Sequence, residues 1–174
     1  KELGSLVELF GHLQSSAGEA AVQFSGSLTS PQYGVERVAF LNDLTSKMSE
    51  TTELPTIREI EGLWFELQRE MIASGQVVSF DTNVIDPDGE SSACNVTRVG
   101  LFNAVCDGKY LEYISSTGDY AFLPRQPEGR YTKTAKKVGN ADAGELVKFG
   151  VDPTGPQGGS LLANLIQTPS LLER

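Results

Sequence analysis

The periodicity of the chain changes at Gly75. Before it, apolar residues recur every three or four positions, the spacing of a helix face; after it, Val78, Phe80, Thr82 and Val84 alternate with polar neighbours, the spacing of a half-buried strand. Helices first and strands second predict an α+β fold rather than alternating βαβ units.

The helical half begins with a seven-residue rhythm. Leu3, Leu6, Phe10, Leu13, Ala17, Ala20 and Phe24 are spaced 3, 4, 3, 4, 3 and 4, the a/d seam of one helix lying against another. Gly4, Gly11 and Gly18 repeat beside it, and each costs about 1 kcal/mol of helix propensity relative to alanine, so the helix needs a packing partner. Two arrangements fit: a helix docked on its own domain, or the end of a longer coiled coil. The chain accordingly divides into a heptad-patterned helix over 1–30 and an α+β domain over 31–174, and Leu3, Leu6, Phe10, Leu13 and Phe24 are the candidate partner-binding residues.

After the breaker Ser30-Pro31-Gln32-Tyr33-Gly34, a second helix is expected from Val35 to Met48, followed by a polar spacer to Glu53. Thr56 and Glu59 fit a capping box at the start of a third. There Ile57, Ile60, Leu63, Trp64, Leu67 and Met71 form an apolar stripe, and Gly75 stands at the C-cap. The only tryptophan therefore reads as a core residue whose removal costs roughly 3–5 kcal/mol.

In the strand half, Asp86-Pro87-Asp88-Gly89, Asp107-Gly108 and Thr117-Gly118-Asp119 are turns. Glu90 to Cys106 reads as one long strand bent near Gly100, then Tyr110–Ile114 and Tyr120–Leu123 complete a meander. A short helix over Thr132–Val138, a strand over Leu146–Val151 and an apolar helix over Ser160–Gln167 close the chain. The expected fold is thus N-terminal helices packed on an antiparallel β-meander of about four to five strands, with a short C-terminal helix.

On this reading Cys94 and Cys106 lie about 40 Å apart, too far for a disulfide, whose Cα atoms sit about 4.4–6.8 Å apart. Only a tight hairpin at Gly100 would join them, and Arg98-Val99-Gly100-Leu101 is a poor turn sequence, so free thiols are expected. With His12 the only histidine, no zinc site is expected.

The remaining chemistry is sparse. Asp86, Asp88 and Glu90 lack the spacing of a calcium loop and read as turn residues. Gly155 to Ser160 lacks the lysine of a phosphate loop and reads as a connector with Ser160 as cap. His12 lies off the seam and reads as solvated, Arg125, Arg130 and Tyr131 as a surface loop, and Asn95-Val96-Thr97 as a chance sequon. No catalytic residue, cofactor or metal is expected. With 14 Lys plus Arg against 23 Asp plus Glu, the net charge of −9 disfavours a nucleic-acid partner. No apolar run spans a bilayer and no signal peptide opens the chain, which reads as a mature or excised fragment.

Several segments carry a resemblance in order along the chain: LPTIREIEGLWFELQREM from Leu54 to Met71, SGQVVSF from Ser74 to Phe80, RVGLFNAV from Arg98 to Val105, DGKYLEY from Asp107 to Tyr113, RQPEGR from Arg125 to Arg130, and LIQTPSL from Leu165 to Leu171. Together they resemble the periplasmic region of TtpC-type proteins of the MotA/TolQ/ExbB proton-channel family, over about Leu9 to Arg174. Glu19–Gly26, Ser91–Asn95 and Thr132–Glu145 match weakly. The resemblance implies the exported domain of an inner-membrane protein, ending just before the membrane, that assembles or couples TonB, ExbB and ExbD components in outer-membrane transport such as iron uptake. The proton-conducting residues of that family belong to membrane helices outside this chain. Self-association through the N-terminal helix would suit the same role. The alternative is a periplasmic small-ligand or glycan-binding module, which would line a pocket with Tyr110, Tyr113, Tyr120 and Phe122 rather than bury them. An enzyme would need a cleft of perturbed carboxylates or a base, and no pair stands out.

Overall fold

The computed structural model describes residues 2–50, 54–154 and 160–164. Four helices, α1 (Glu2–Ser25), α2 (Ser30–Tyr33), α3 (Glu36–Glu50) and α4 (Ile57–Ser74), precede five strands, β1 (Val77–Ile85), β2 (Ser91–Val99), β3 (Asn103–Cys106), β4 (Lys109–Ile114) and β5 (Asp119–Phe122). Helices α5 (Gly129–Gly139) and α6 (Ser160–Asn164) come after the strands. The class is α+β as the change of periodicity predicts.

The helices form a layer of their own. Ala17, Ala20, Ala21 and Phe24 of α1 are buried against Leu41 and Leu44 of α3 and Leu63 of α4, with Leu13, Val38, Phe40, Met48 and Leu67 around them. The second half of the heptad seam is therefore spent inside the fold, and α1 shares one core with α3 and α4. Gly62 lets α3 and α4 approach closely, since a Cβ there would lie 2.7 Å from the Phe40 ring. The capping box forms as expected: Thr56 accepts from the Glu59 amide at 3.3 Å, and Glu59 accepts from the Thr56 amide at 2.6 Å. The Thr56 backbone and hydroxyl, with Lys47, pull the Glu59 carboxyl down to about 2.

The strands close into a barrel in chain order, β1-β2-β3-β4-β5, and back to β1. Each neighbour in the meander reverses direction, so an odd number of strands returns with first and last running the same way. The closing seam is accordingly the only parallel one among the described strands, with Val84 opposite Tyr120 and Ile85 opposite Ala121. Val84, Val96, Ala104, Cys106, Leu111 and Tyr120 fill the interior, joined by Leu28 from the α1–α2 connection, whose carbonyl accepts from the Tyr120 hydroxyl. Burial raises Tyr120 far above the ordinary tyrosine range, which keeps that donor protonated. On the outside, α5 covers Val105 and Tyr110 with Ala135 and Val138, and Leu162 of α6 joins them. No strand forms over Leu146–Val151, which runs as irregular chain beside α5. The expected helix past Asn164 lies outside the described residues.

The long strand expected from Glu90 to Cys106 is instead two strands joined by a tight turn at Gly100–Phe102, with Val99 paired to Asn103. Gly100 takes φ +57°, and a Cβ there would lie 2.6 Å from the Ser74 carbonyl. Its carbonyl accepts from Arg98 Nη1 at 2.6 Å. The Gly100 amide donates to the Gln76 carbonyl at 2.9 Å, so the turn is stabilised in part by a residue distant from it in sequence. It brings the two cysteines together: Cys94 and Cys106 form a disulfide with Cα atoms 6.4 Å apart, and the expectation of free thiols is corrected.

Two polar clusters fasten the layers. Arg98, fully buried, donates to the carbonyls of Ala73 at 2.8 Å and Gly100 at 2.6 Å, and through Nε and Nη2 to Gln32 Oε1 at 3.2 and 3.0 Å. Arg37, also buried, pairs with Glu70 Oε2 at 2.8 Å and donates to Thr29 and Ser30 at 2.7 and 3.0 Å, while its guanidinium lies 4.6 Å over the Phe24 ring. Burial alone would raise the Glu70 carboxyl, but hydrogen bonds from Ser27, Thr29 and Arg37 outweigh it and hold it below its ordinary value.

Cys94→Ser with Cys106→Ser should lose about 3 kcal/mol in denaturant unfolding, the chain-entropy value for so short a loop, and a reductant should reproduce the loss in the native chain only. Because Glu70 is depressed in the folded state, the unfolded chain binds more protons in acid. Its contribution should be complete at neutral pH and decline as pH falls below about 4.5, and Glu70→Gln should flatten that decline in the same unfolding series.

Candidate interaction surface

Helix α4 is amphipathic in an inverted sense. The side it turns to the protein carries Leu63 and Ala73 but also Glu66 and Glu70, both held by arginines: Glu70 by Arg37, and Glu66 by Arg69 at 2.5 Å. Most of its apolar mass points outward instead. Ile57 is 76% exposed, Trp64 59%, Phe65 57%, Met71 60% and Ile72 61%. At 100° per residue these positions, with Glu61 and Gln68 among them, share one side of the helix along about 22 Å. The expectation that Trp64 belongs to the core is corrected. The stripe is real, but only Leu63, with Ile60 and Leu67 partly, turns inward.

Five large apolar side chains in this state leave on the order of 500 Å² open, the upper range for the largest patch on an ordinary monomer. The surface is ordered along one edge, where the Arg69 guanidinium lies 4.4 Å over the Tyr33 ring and 5.4 Å from the Phe65 ring. Arg69 thus bridges Phe65 to Tyr33 of α2 without covering the outer face of the Phe65 ring.

The partner-binding residues expected from the sequence are not brought together as one surface. Phe24 is buried beneath Arg37, and Leu13 packs against the helical core. Phe10 is partly exposed, and the side chains of Leu3 and Leu6 lie outside the described residues. The sequence signal that could have found α4 is the alternation on its inner side, where Glu66 and Glu70 interrupt the apolar positions and demand the arginines that hold them.

The aromatics that a ligand site would have exposed are packed away. Tyr110 and Tyr120 are fully buried, and Tyr113 and Phe122 pack against the barrel core. Burial raises Tyr110 to about 12, and its hydroxyl donates to the Gly150 carbonyl at 2.7 Å, which ties the irregular 140–151 segment down. A cavity of about 570 Å³ lies under that segment, lined by Val77, Thr97, Val138, Val147 and Phe149.

Other candidate groups are consumed by structure. Asp86 Oδ1 accepts from the amides of Asp88 at 3.0 Å and Glu90 at 2.8 Å, closing its turn. Burial alone would raise Asp152, but hydrogen bonds from Thr154 and from the first turn of α6 hold it down, so Asp152 rather than Ser160 satisfies the Leu162 amide, at 3.1 Å. His12 is exposed, and Arg130 pairs with Glu128 at 2.8 Å. No protein-family model, curated protein or solved structure matches the chain.

Leu63→Ala should cost about 2–5 kcal/mol in unfolding, whereas Trp64→Ala on the open face should cost less than about 1 kcal/mol. In dilute solution, where the chain is a monomer, tryptophan emission should be that of a solvated indole and readily quenched by iodide.

Proposed function

We propose that this is a non-catalytic interaction domain on the periplasmic side of an ExbB-like inner-membrane protein, one that helps assemble or couple TonB, ExbB and ExbD components in outer-membrane transport. The open apolar face of α4 is the observation that carries the interaction reading: a chain with three well-packed core clusters leaves its only tryptophan in water. The segments from Leu54 to Leu171 that resemble the family supply the choice of partners. The Cys94–Cys106 disulfide supports an oxidising compartment such as the periplasm, because such bridges are rare where glutathione keeps thiols reduced. Burial of Tyr110 and Tyr120 counts against the aromatic-lined ligand module.

Calorimetric titration of the oxidised domain with the purified periplasmic parts of TonB and ExbD, and with a detergent-solubilised ExbB–ExbD complex, tests the reading. Saturable binding to at least one is expected. Heat from none of them, together with a small ligand that raises the melting temperature in step with the logarithm of its concentration, would replace it with the ligand-binding alternative.

A further inference from the structure

We propose that the outward face of α4 is an isologous interface on which a second copy of this chain lays its own α4, antiparallel, about a two-fold axis beside Trp64 and Phe65. The inference rests on the interaction reading and names the occupant of that face.

The order of residues carries it. Ile57, Trp64 and Met71 form a row at heptad spacing that reads the same from either end, apolar, aromatic, apolar. Beside it run Glu61 and Gln68, and then Arg58, Phe65 and Ile72. A two-fold axis requires that when one residue meets another, the second also meets the first. Turned end for end about Trp64, the first row satisfies this: Ile57 meets Met71 of the partner subunit, Met71 meets the partner subunit's Ile57, and Trp64 meets its own counterpart. The same turn puts Phe65 beside Phe65 of the partner subunit, where offset or edge-on ring contacts form.

Charge agrees with this register and disagrees with a parallel one. Antiparallel pairing sets Glu61 opposite the amide of the partner subunit's Gln68, a neutral hydrogen-bond donor, and separates the two Glu61 carboxylates by about 10 Å along the helix axis. Parallel pairing in register would set carboxylate against carboxylate on an apolar face. Area also suits a second copy. An isologous contact covers the patch twice, so it removes on the order of 1,000 Å² in all, the size at which a specific interface becomes expected. Nearly all of this area is apolar, as in the core of a homodimer contact.

Light scattering across a concentration series of the oxidised chain should give a mass that rises to twice that of the monomer, and Trp64→Glu should hold it at the monomer with an unchanged circular dichroism spectrum. The register is read separately. Glu61 and Gln68 lie about 10.5 Å apart along one helix, too far to bridge within a chain. The double variant E61C/Q68C should therefore form covalent dimers under oxidised glutathione, while E61C alone should not. A monomer at every concentration, a dimer indifferent to Trp64→Glu, or cross-linking by E61C alone would each overturn the proposal. A monomer that still binds a TonB-system component through Trp64 would sink this inference and keep the interaction reading; a monomer that binds none would sink both.

Discussion

The guanidinium of Arg98 is withdrawn from water with no carboxylate among its hydrogen-bond partners in the described residues, and the join between the helical layer and the barrel is organised around that fact. Its partners come from three places: the last turn of α4, the β2–β3 turn and α2. The carbonyl of Ala73 lies at the C-terminal end of α4, where the helix dipole concentrates negative partial charge, so a cation is suited to that position. Burial lowers the Arg98 pKa from its ordinary value, yet an arginine remains charged in a protein, and the charge must be met by dipoles. Removing it would leave the buried Gly100 carbonyl without its donor, at a cost of about 1–3 kcal/mol, and free the Gln32 side chain, while the Ala73 carbonyl would keep the Gln76 amide at 3.1 Å. The β2–β3 turn depends on the same contact, and the disulfide depends on the turn.

The second arginine cluster explains why α4 faces outward with its aromatics. Arg37 needs a carboxylate, and Glu70 supplies it from the inner side of α4; Glu66 and Arg69 repeat the pattern one turn earlier. Each such residue occupies a place that an apolar side chain would otherwise take. The junction is therefore specified in part by matched charged groups, Arg37 with Glu70 and Arg69 with Glu66. The helix retains its apolar residues on the side that this junction leaves free, and the domain holds together without them.

Local signals are legible in the sequence and tertiary ones are not. Thr56 and Glu59, the Asp86–Gly89 turn and the Asp107–Gly108 turn declare themselves because their partners lie within four residues. The hairpin at Gly100 is hidden because Leu101 and Arg98 look wrong for a turn; what makes it work is the Gln76 carbonyl, which accepts from the Gly100 amide, and the Arg98 guanidinium, which donates to the Gly100 carbonyl. Periodicity finds the apolar residues of α4, but a period cannot say which side a neighbour covers. Of the surface proposed for interaction, the sequence displays the residues and conceals their exposure. The heptad seam left two arrangements open, and its second half takes the first of them, with Ala17, Ala20 and Phe24 satisfied within the chain.

The parallel closure of the barrel has a mechanical meaning. Because β1 and β5 run the same way, the chain enters the barrel at one rim and leaves it at the other. Tension between the helical layer and the segments after β5 would pull these two strands past one another along their length. Hydrogen bonds that lie across such a pull are loaded together in shear, instead of parting one at a time as a peeled hairpin does. The barrel is thus wired in series as a stiff link, with its fastening at the seam between Val84 and Tyr120.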